Sequence, residues 1–240
     1  MTAHANLVRV LGMCGRYVTP SQASLEKHFP DLTNNWAGLQ QRFNIGPTMP
    51  VPVVYRPEGS EAVGDIARWG LIPSWWSKET LPNLTFNARS EEAATKPMWR
   101  HGMKSARCLM PVQGWYEWNE NETVVTGKGR KTHQPYYFHS NTDDVLAIAG
   151  LWSFWLAPDG ADVLSCSLLT REAEGGIARV HHRMPVVLDR SQYDAWLSPE
   201  ANAKDVADLI AGSRHDFEAY RVSTRVNSVK NDDELLLAEL

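Results

Sequence analysis

The 240-residue chain is 43% hydrophobic and 22% charged, which suits a globular protein and excludes wholesale disorder. No apolar run approaches the ~18 residues of a membrane-spanning helix, and the LVRVLGM stretch is too short and weakly flanked for a secretory signal. The net charge of −4 excludes a global basic field, but the first 188 residues hold 18 basic and 17 acidic side chains against 6 and 11 in the remainder, so a local basic groove stays open.

Taken in chain order, Thr19-Pro20-Ser21-Gln22 predicts a helix start. Thr19 is the expected N-cap, Pro20 the first helical residue, and Gln22 the partner that closes a capping box. Strands are expected at Val51–Tyr55, Asp65–Leu71, Arg107–Pro111, Gln134–His139, Val145–Trp152, Asp162–Leu169, Pro185–Asp189 and Phe217–Val222, each bounded by Pro, Gly, Asn or Asp. Thr123–Lys131, rich in Gly and basic residues, reads as a mobile hairpin tip. Asp189 predicts the cap of a helix with Tyr193, Trp196 and Leu197 on one face. Ser198-Pro199 predicts another, with Val206, Leu209 and Ile210 inward and Gly212 past its end. Nothing repeats at a fixed period and no stretch reads as a linker, so one domain is expected. Many strands and few helices predict an α+β domain on a curved, barrel-like, mostly antiparallel β-sheet with peripheral helices. The three cysteines, Cys14, Cys108 and Cys166, form no CxxC pair, which disfavours a disulfide scaffold or a zinc knuckle and suits a reducing cytosol. Ten tryptophans exceed what a core of this size requires and point to a binding surface.

Four polar clusters stand beside apolar strands. In Met13-Cys14-Gly15-Arg16-Tyr17 the cysteine becomes N-terminal if translation starts at Met13 and that methionine is trimmed. An N-terminal cysteine is a 1,2-aminothiol: its amine condenses with an aldehyde to an imine, and the thiolate then closes a five-membered thiazolidine. The alternative is a small buried hydrophobe. In Asn87-Ala88-Arg89-Ser90-Glu91, Asn and Arg can orient a substrate and clamp a phosphate. Trp75 and Trp76, upstream in WGLIPSWW, can stack on unpaired bases or fill the core. In Gly114-Trp115-Tyr116-Glu117-Trp118, aromatic neighbours should desolvate Glu117 and raise its pKa toward acid–base use, unless it points to solvent. In Val180-His181-His182-Arg183-Met184-Pro185, one histidine can serve as acid or base, and Arg183 can bind phosphate or pair with an acid. The His-His pair invites a metal, but no further ligands lie at metal spacing along the chain, so none is expected.

Together MCGRY, WGLIPSWW, NARSE, RCLMPVQGWYEW, HHRMP and VNSVKND resemble the SRAP family, the SOS-response-associated peptidase or abasic-site-processing proteins, from Cys14 to about Asp232. The resemblance implies a barrel-like domain over 14–232, an extension over 1–13 absent from the mature protein, and a C-terminal tail over 233–240. It implies single-stranded DNA containing abasic sites as the partner and a covalent link through Cys14. Carried over, the catalytic set is Cys14, Asn87, Glu117 and His181. Asn87 would hold the Cys14 backbone or the sugar, Glu117 would shuttle protons, and His181 would assist sugar ring opening. Arg16 and Arg89 match phosphate-contacting positions, Trp75, Trp76 and Trp118 match aromatic positions lining the DNA site, and Asn44, Pro47 and Thr170 sit in further pocket motifs. No cofactor, metal, membrane or obligate protein partner is expected, and a cytoplasmic monomer is. Two other readings stay open: a thiol (auto)peptidase with Cys14 as nucleophile and His181 as base, and a non-catalytic single-stranded DNA binder.

Overall fold

Five strands close on themselves in the structure, a computed structural model that describes residues 14–240 apart from Lys128. In chain order the early elements are β1 (Tyr17–Val18), α1 (Gln22–His28), β2 (Thr33–Asn34), β3 (Pro50–Tyr55), β4 (Val63–Trp69), β5 (Asn87–Arg89), α2 (Ser90–Ala93) and α3 (Arg100–Ser105). The long strands β6 (Arg107–Val112), β7 (Gly114–Val125), β8 (Lys131–His139), β9 (Leu146–Leu156) and β10 (Asp162–Glu172) follow. The chain finishes with β11 (Arg183–Pro185), β12 (Val187–Leu188), α4 (Tyr193–Leu197), α5 (Ala203–Ala211) and β13 (Glu218–Arg221). Strand β3 lies antiparallel to β4 and β6, β6 to β9, and β9 to β10; the parallel β10–β4 pairing shuts the barrel. A second sheet, ordered β1-β7-β8-β13, is antiparallel throughout.

Period-two alternation sends each barrel strand's side chains into two separate cores. Val51, Val53 and Tyr55 of β3, Cys108, Met110 and Val112 of β6, and Leu146 and Ile148 of β9 share one cluster with Trp115 and Phe138 of the second sheet. Their neighbours Val54, Leu109, Ala147 and Ala149 point the other way, under Leu25 of α1, Met103 of α3, Trp196 of α4 and Val206 of α5. Arg107, buried between these layers, donates to the carbonyls of Met103, Lys104, Trp196 and Ser198 and so ties α3 to α4.

The α+β barrel expected from the sequence is therefore present, with local corrections. Ser21, not Thr19, caps α1, accepting from the Ser24 N–H, so the helix starts after Pro20. Asp189 does form a capping box with Gln192, over one turn of 3₁₀ helix that runs into α4. The next helix starts not at Ser198-Pro199 but at Ala203, where Asn202 accepts from two backbone N–H groups and Asp205 completes a capping box. Strand β7 lies outside the expected strands, because it is buried on both faces through Trp118 and then turns acidic, which hides its alternation. Between β7 and β8 the Thr126 N–H donates to the Arg130 carbonyl. The C-terminal residues pack onto the second sheet: Leu236 is buried and the Leu240 N–H donates to the Arg221 carbonyl. The expected extension over 1–13 lies outside the described residues.

Candidate active site

The register of one short strand pair brings the first cluster to the third. Val18 faces Gly114 and Tyr17 faces Trp115, and the Tyr116 N–H donates to the Arg16 carbonyl. Continuing that ladder carries Cys14 past Glu117, and the Cys14 nitrogen donates to Glu117 Oε1 at 2.8 Å. Both residues are sealed from water, Cys14 at 3% exposure and Glu117 at 0%. His181 enters from the turn before β11, with Nδ1 at 3.8 Å from Glu117 Oε2. His181 Nδ1 also lies 3.1 Å from both the backbone N and O of Arg183, so either tautomer finds a partner and the ring is held in place.

Burial sets the electrostatics. Desolvation raises the Glu117 carboxyl above the ordinary carboxylate range, opposed by the nearby His181 and by hydrogen bonds from Cys14. Desolvation likewise pushes the Cys14 thiol well up, reinforced by the charge and hydrogen bond of Glu117, with Arg183 pulling the other way. Both shifts favour the protonated forms of the two side chains.

Around this centre, β5 runs parallel to β10, with Asn87 opposite Leu168 and Arg89 opposite Thr170. Asn87 is half-buried and Arg89 exposed on this strand. Thr170 is fully buried, and Arg183 donates to its carbonyl at 2.8 Å and to its hydroxyl. Arg183 resolves its two sequence readings toward an acid: it makes a bidentate pair with Glu91 at 2.8 and 2.9 Å, which lowers the Glu91 pKa. The sequence assigns Glu91 of the NARSE motif no role, and only the fold places it against Arg183.

Other residues predicted for DNA contact form a separate structural network. Arg16 is buried, its pKa lowered by desolvation to about 10, and it donates to Asn44 Oδ1 and the Val226 carbonyl. Asn44 Nδ2 reaches the carbonyls of Val226, Ser228 and Asn231 at 3.2, 3.0 and 2.8 Å. Asp232 accepts from the Phe43 and Asn44 N–H groups and pairs with Arg42. MCGRY and VNSVKND are thus two halves of one buried clasp. Asn44→Ala should lower folding stability by about 3 kcal/mol, since several buried carbonyls and Arg16 lose their partner; a denaturant midpoint unchanged from the parent protein would refute that role. Trp118 points away from Glu117, into a cluster with Val18 and Tyr116, and its Nε1 donates to Asn227 Oδ1 at 2.7 Å. Trp75, at 56% exposure, and the half-buried Trp76 lie on the β4–β5 connection with ring centroids 6.0 Å apart, and Lys78 stands over Trp76 at 5.4 Å. Pro47 is half-buried in the turn before β3.

The model of the SRAP family, SOS response associated peptidase, matches residues 13–229. The chain is similar to abasic site processing protein YoaM of Bacillus subtilis (strain 168), 31% identical over 237 residues, with 95% of this chain and 99% of that protein covered. It is similar also to abasic site processing protein HMCES of Gallus gallus, 30% identical over 222 residues, covering 79% of this chain and 63% of that protein. Among solved structures, a Bacteroides thetaiotaomicron protein superposes with a TM-score of 0.80 at 20% identity, covering 95% of this chain and 100% of that one. A Bordetella bronchiseptica protein superposes with a TM-score of 0.71 at 25% identity, covering 88% and 100%.

Proposed function

The chain belongs to the SRAP family, and from that premise we propose that it processes abasic sites in single-stranded DNA by joining them covalently to Cys14. The observation that carries this reading is the buried contact between the Cys14 nitrogen and Glu117 Oε1, with His181 on the other oxygen's side of the same carboxylate. An acid–base pair is thereby aimed at a nitrogen, which is where imine chemistry needs it.

In the open-chain sugar the aldehyde carbon accepts the lone pair of a free Cys14 amine. The resulting carbinolamine loses water, with a proton supplied to the departing oxygen, and leaves an imine. The Cys14 sulfur then adds to the imine carbon as its proton passes to the nitrogen. Aldehyde and aminothiol become thiazolidine and one water, and no redox partner is required. Glu117 would take and return these protons, its carboxyl raised above the ordinary carboxylate range by burial. His181 would exchange the proton that opens the furanose, and Asn87 would orient the sugar.

The amine must be free, so the residues before Cys14 must go. Cys14 has φ of 34°, in the left-handed region that a β-carbon makes costly by ~1–2 kcal/mol. That cost exists only while a peptide precedes Cys14, which favours its removal. The second reading, a thiol peptidase, needs no free amine, so blocking the Cys14 amine separates the two.

Intact mass spectrometry after incubation with an abasic oligonucleotide tests the proposal, since it reads both the mature N-terminus and the adduct. The expected mass is the Cys14-initiated chain plus the oligonucleotide minus one water; an unmodified chain after full incubation would reject it. Binding is a separate step carried by exposed groups. Arg89→Ala should weaken affinity for undamaged single strands and make the log–log salt slope shallower by about one, as for the loss of one phosphate contact. Its crosslinking rate at saturating abasic DNA should stay at the parent value. Titrations at several salt concentrations check this, and an unchanged slope would remove Arg89 from the interface.

A further inference from the structure

Strand β7 does not end its work at Glu117. Its pairing with β8 shifts register between Asn119 and Thr123, and this irregularity releases Glu120 from the ladder toward the His181-His182 turn. Glu120, His181 and His182 each present one potential ligand atom, all within 4.8 Å of one another. Glu120 Oε2 lies 4.0 Å from His182 Nδ1, and the two imidazoles sit with centroids 4.5 Å apart, tilted by 35°. The His181 side chain is 1% exposed, and those of His182 and Glu120 are 59% and 56% exposed. One arm of the triad is therefore rigid and two are free to adjust.

From this geometry we propose that Glu120, His181 and His182 form a site for a Zn²⁺-like divalent ion, and that the bound ion shuts off crosslinking by occupying the imidazole of His181. Two imidazoles and one carboxylate, with a remaining position for water, are the donor set and count of an open zinc site. Bonds of 2.0–2.1 Å put tetrahedral donor atoms roughly 3.3–3.5 Å apart, so closing from 4.8 Å asks only for rotation of the two exposed side chains. The fixed contact of His181 Nδ1 with the Arg183 backbone supplies the outer partner that orients a metal-binding imidazole. Arg183, next to His182 in the chain, is already paired with Glu91, which reduces its repulsion of an incoming ion. Spacing along the chain does not reveal this group, because Glu120 is remote in sequence from the two histidines and is brought to them by the shift in the β7–β8 register.

The metal half of this inference stands independently, and the inhibitory half rests on the proposed crosslinking reaction. Calorimetric titration of the metal-free protein with ZnCl₂ should show one ion per chain. Glu120→Gln and His182→Asn, both at exposed side chains, should each weaken binding at least as much as the ~10–100-fold that loss of an outer partner costs. Cys14→Ser should bind as the parent does. Adduct formation by the parent should slow as Zn²⁺ is added, and each of the two ligand variants should need at least tenfold more Zn²⁺ for the same slowing. Equal affinity across the parent, Glu120→Gln and His182→Asn would overturn the site. So would loss of binding in Cys14→Ser alone, which would assign the ion to the aminothiol. Zinc binding that follows the pattern while metal-free protein forms no adduct would keep the site, reject its inhibitory role and reject the proposed reaction.

Discussion

A chain that begins at Cys14 is expected to form a denaturation-resistant adduct with a single-stranded oligonucleotide carrying one abasic site, and Cys14→Ser to form none. Serine keeps the amine, so an imine can still appear, but an imine hydrolyses on denaturation unless it is reduced. The sulfur is what converts it into a ring. The same protein retaining residues 1–13 should fold around the same barrel and also fail. Its Cys14 nitrogen would be an amide, whose lone pair is delocalised into the carbonyl and is no nucleophile. In that form the nitrogen donates its only hydrogen to Glu117. Denaturing gels and intact masses of the three proteins check the expectation. A stable adduct from Cys14→Ser without reductant would exclude the thiazolidine, and one from a chain whose mass includes Met1–Met13 would exclude the amine.

Replacing Glu117 with glutamine should slow adduct formation at saturating DNA by ~10²–10⁴ while leaving affinity for undamaged strands intact. Glutamine is nearly isosteric and its side-chain oxygen can still accept from the Cys14 nitrogen, so the fold and the position of the nucleophile persist. What disappears is a group that takes and returns a proton. Loss of a negative charge cannot weaken attraction to phosphates, so a fall in affinity with an unchanged saturated rate would mark Glu117 as structural. The pH profile adds a second readout. Burial holds the Glu117 pKa above the usual carboxylate range, so the parent's pH–rate curve should bend there. The glutamine variant should lack that bend.

Fold and site are unequally legible in the sequence. Runs such as Val51–Tyr55 and Arg107–Pro111, bounded by chain-breaking residues, predict strands, and five of the predicted strands do close the barrel. Sequence also singled out Cys14, Glu117 and His181, because a cysteine after a methionine, a carboxylate among aromatics and paired histidines are unusual locally. It could not say that they meet. Cys14 and Glu117 are 103 positions apart and are joined by the β1–β7 register, which depends on pairing energies summed over both sheets. Nor could composition separate the arginines: Arg16 and Arg89 both read as phosphate contacts, yet packing buries Arg16 in the Asn44 clasp and leaves Arg89 exposed on β5. Trp118 and Trp75 divide in the same way, one inside a core and one open to solvent. Residue chemistry is a local property and is written in the chain. Whether a side chain meets water, a partner or a ligand is decided by which face of which strand carries it, and only the closed sheets settle that.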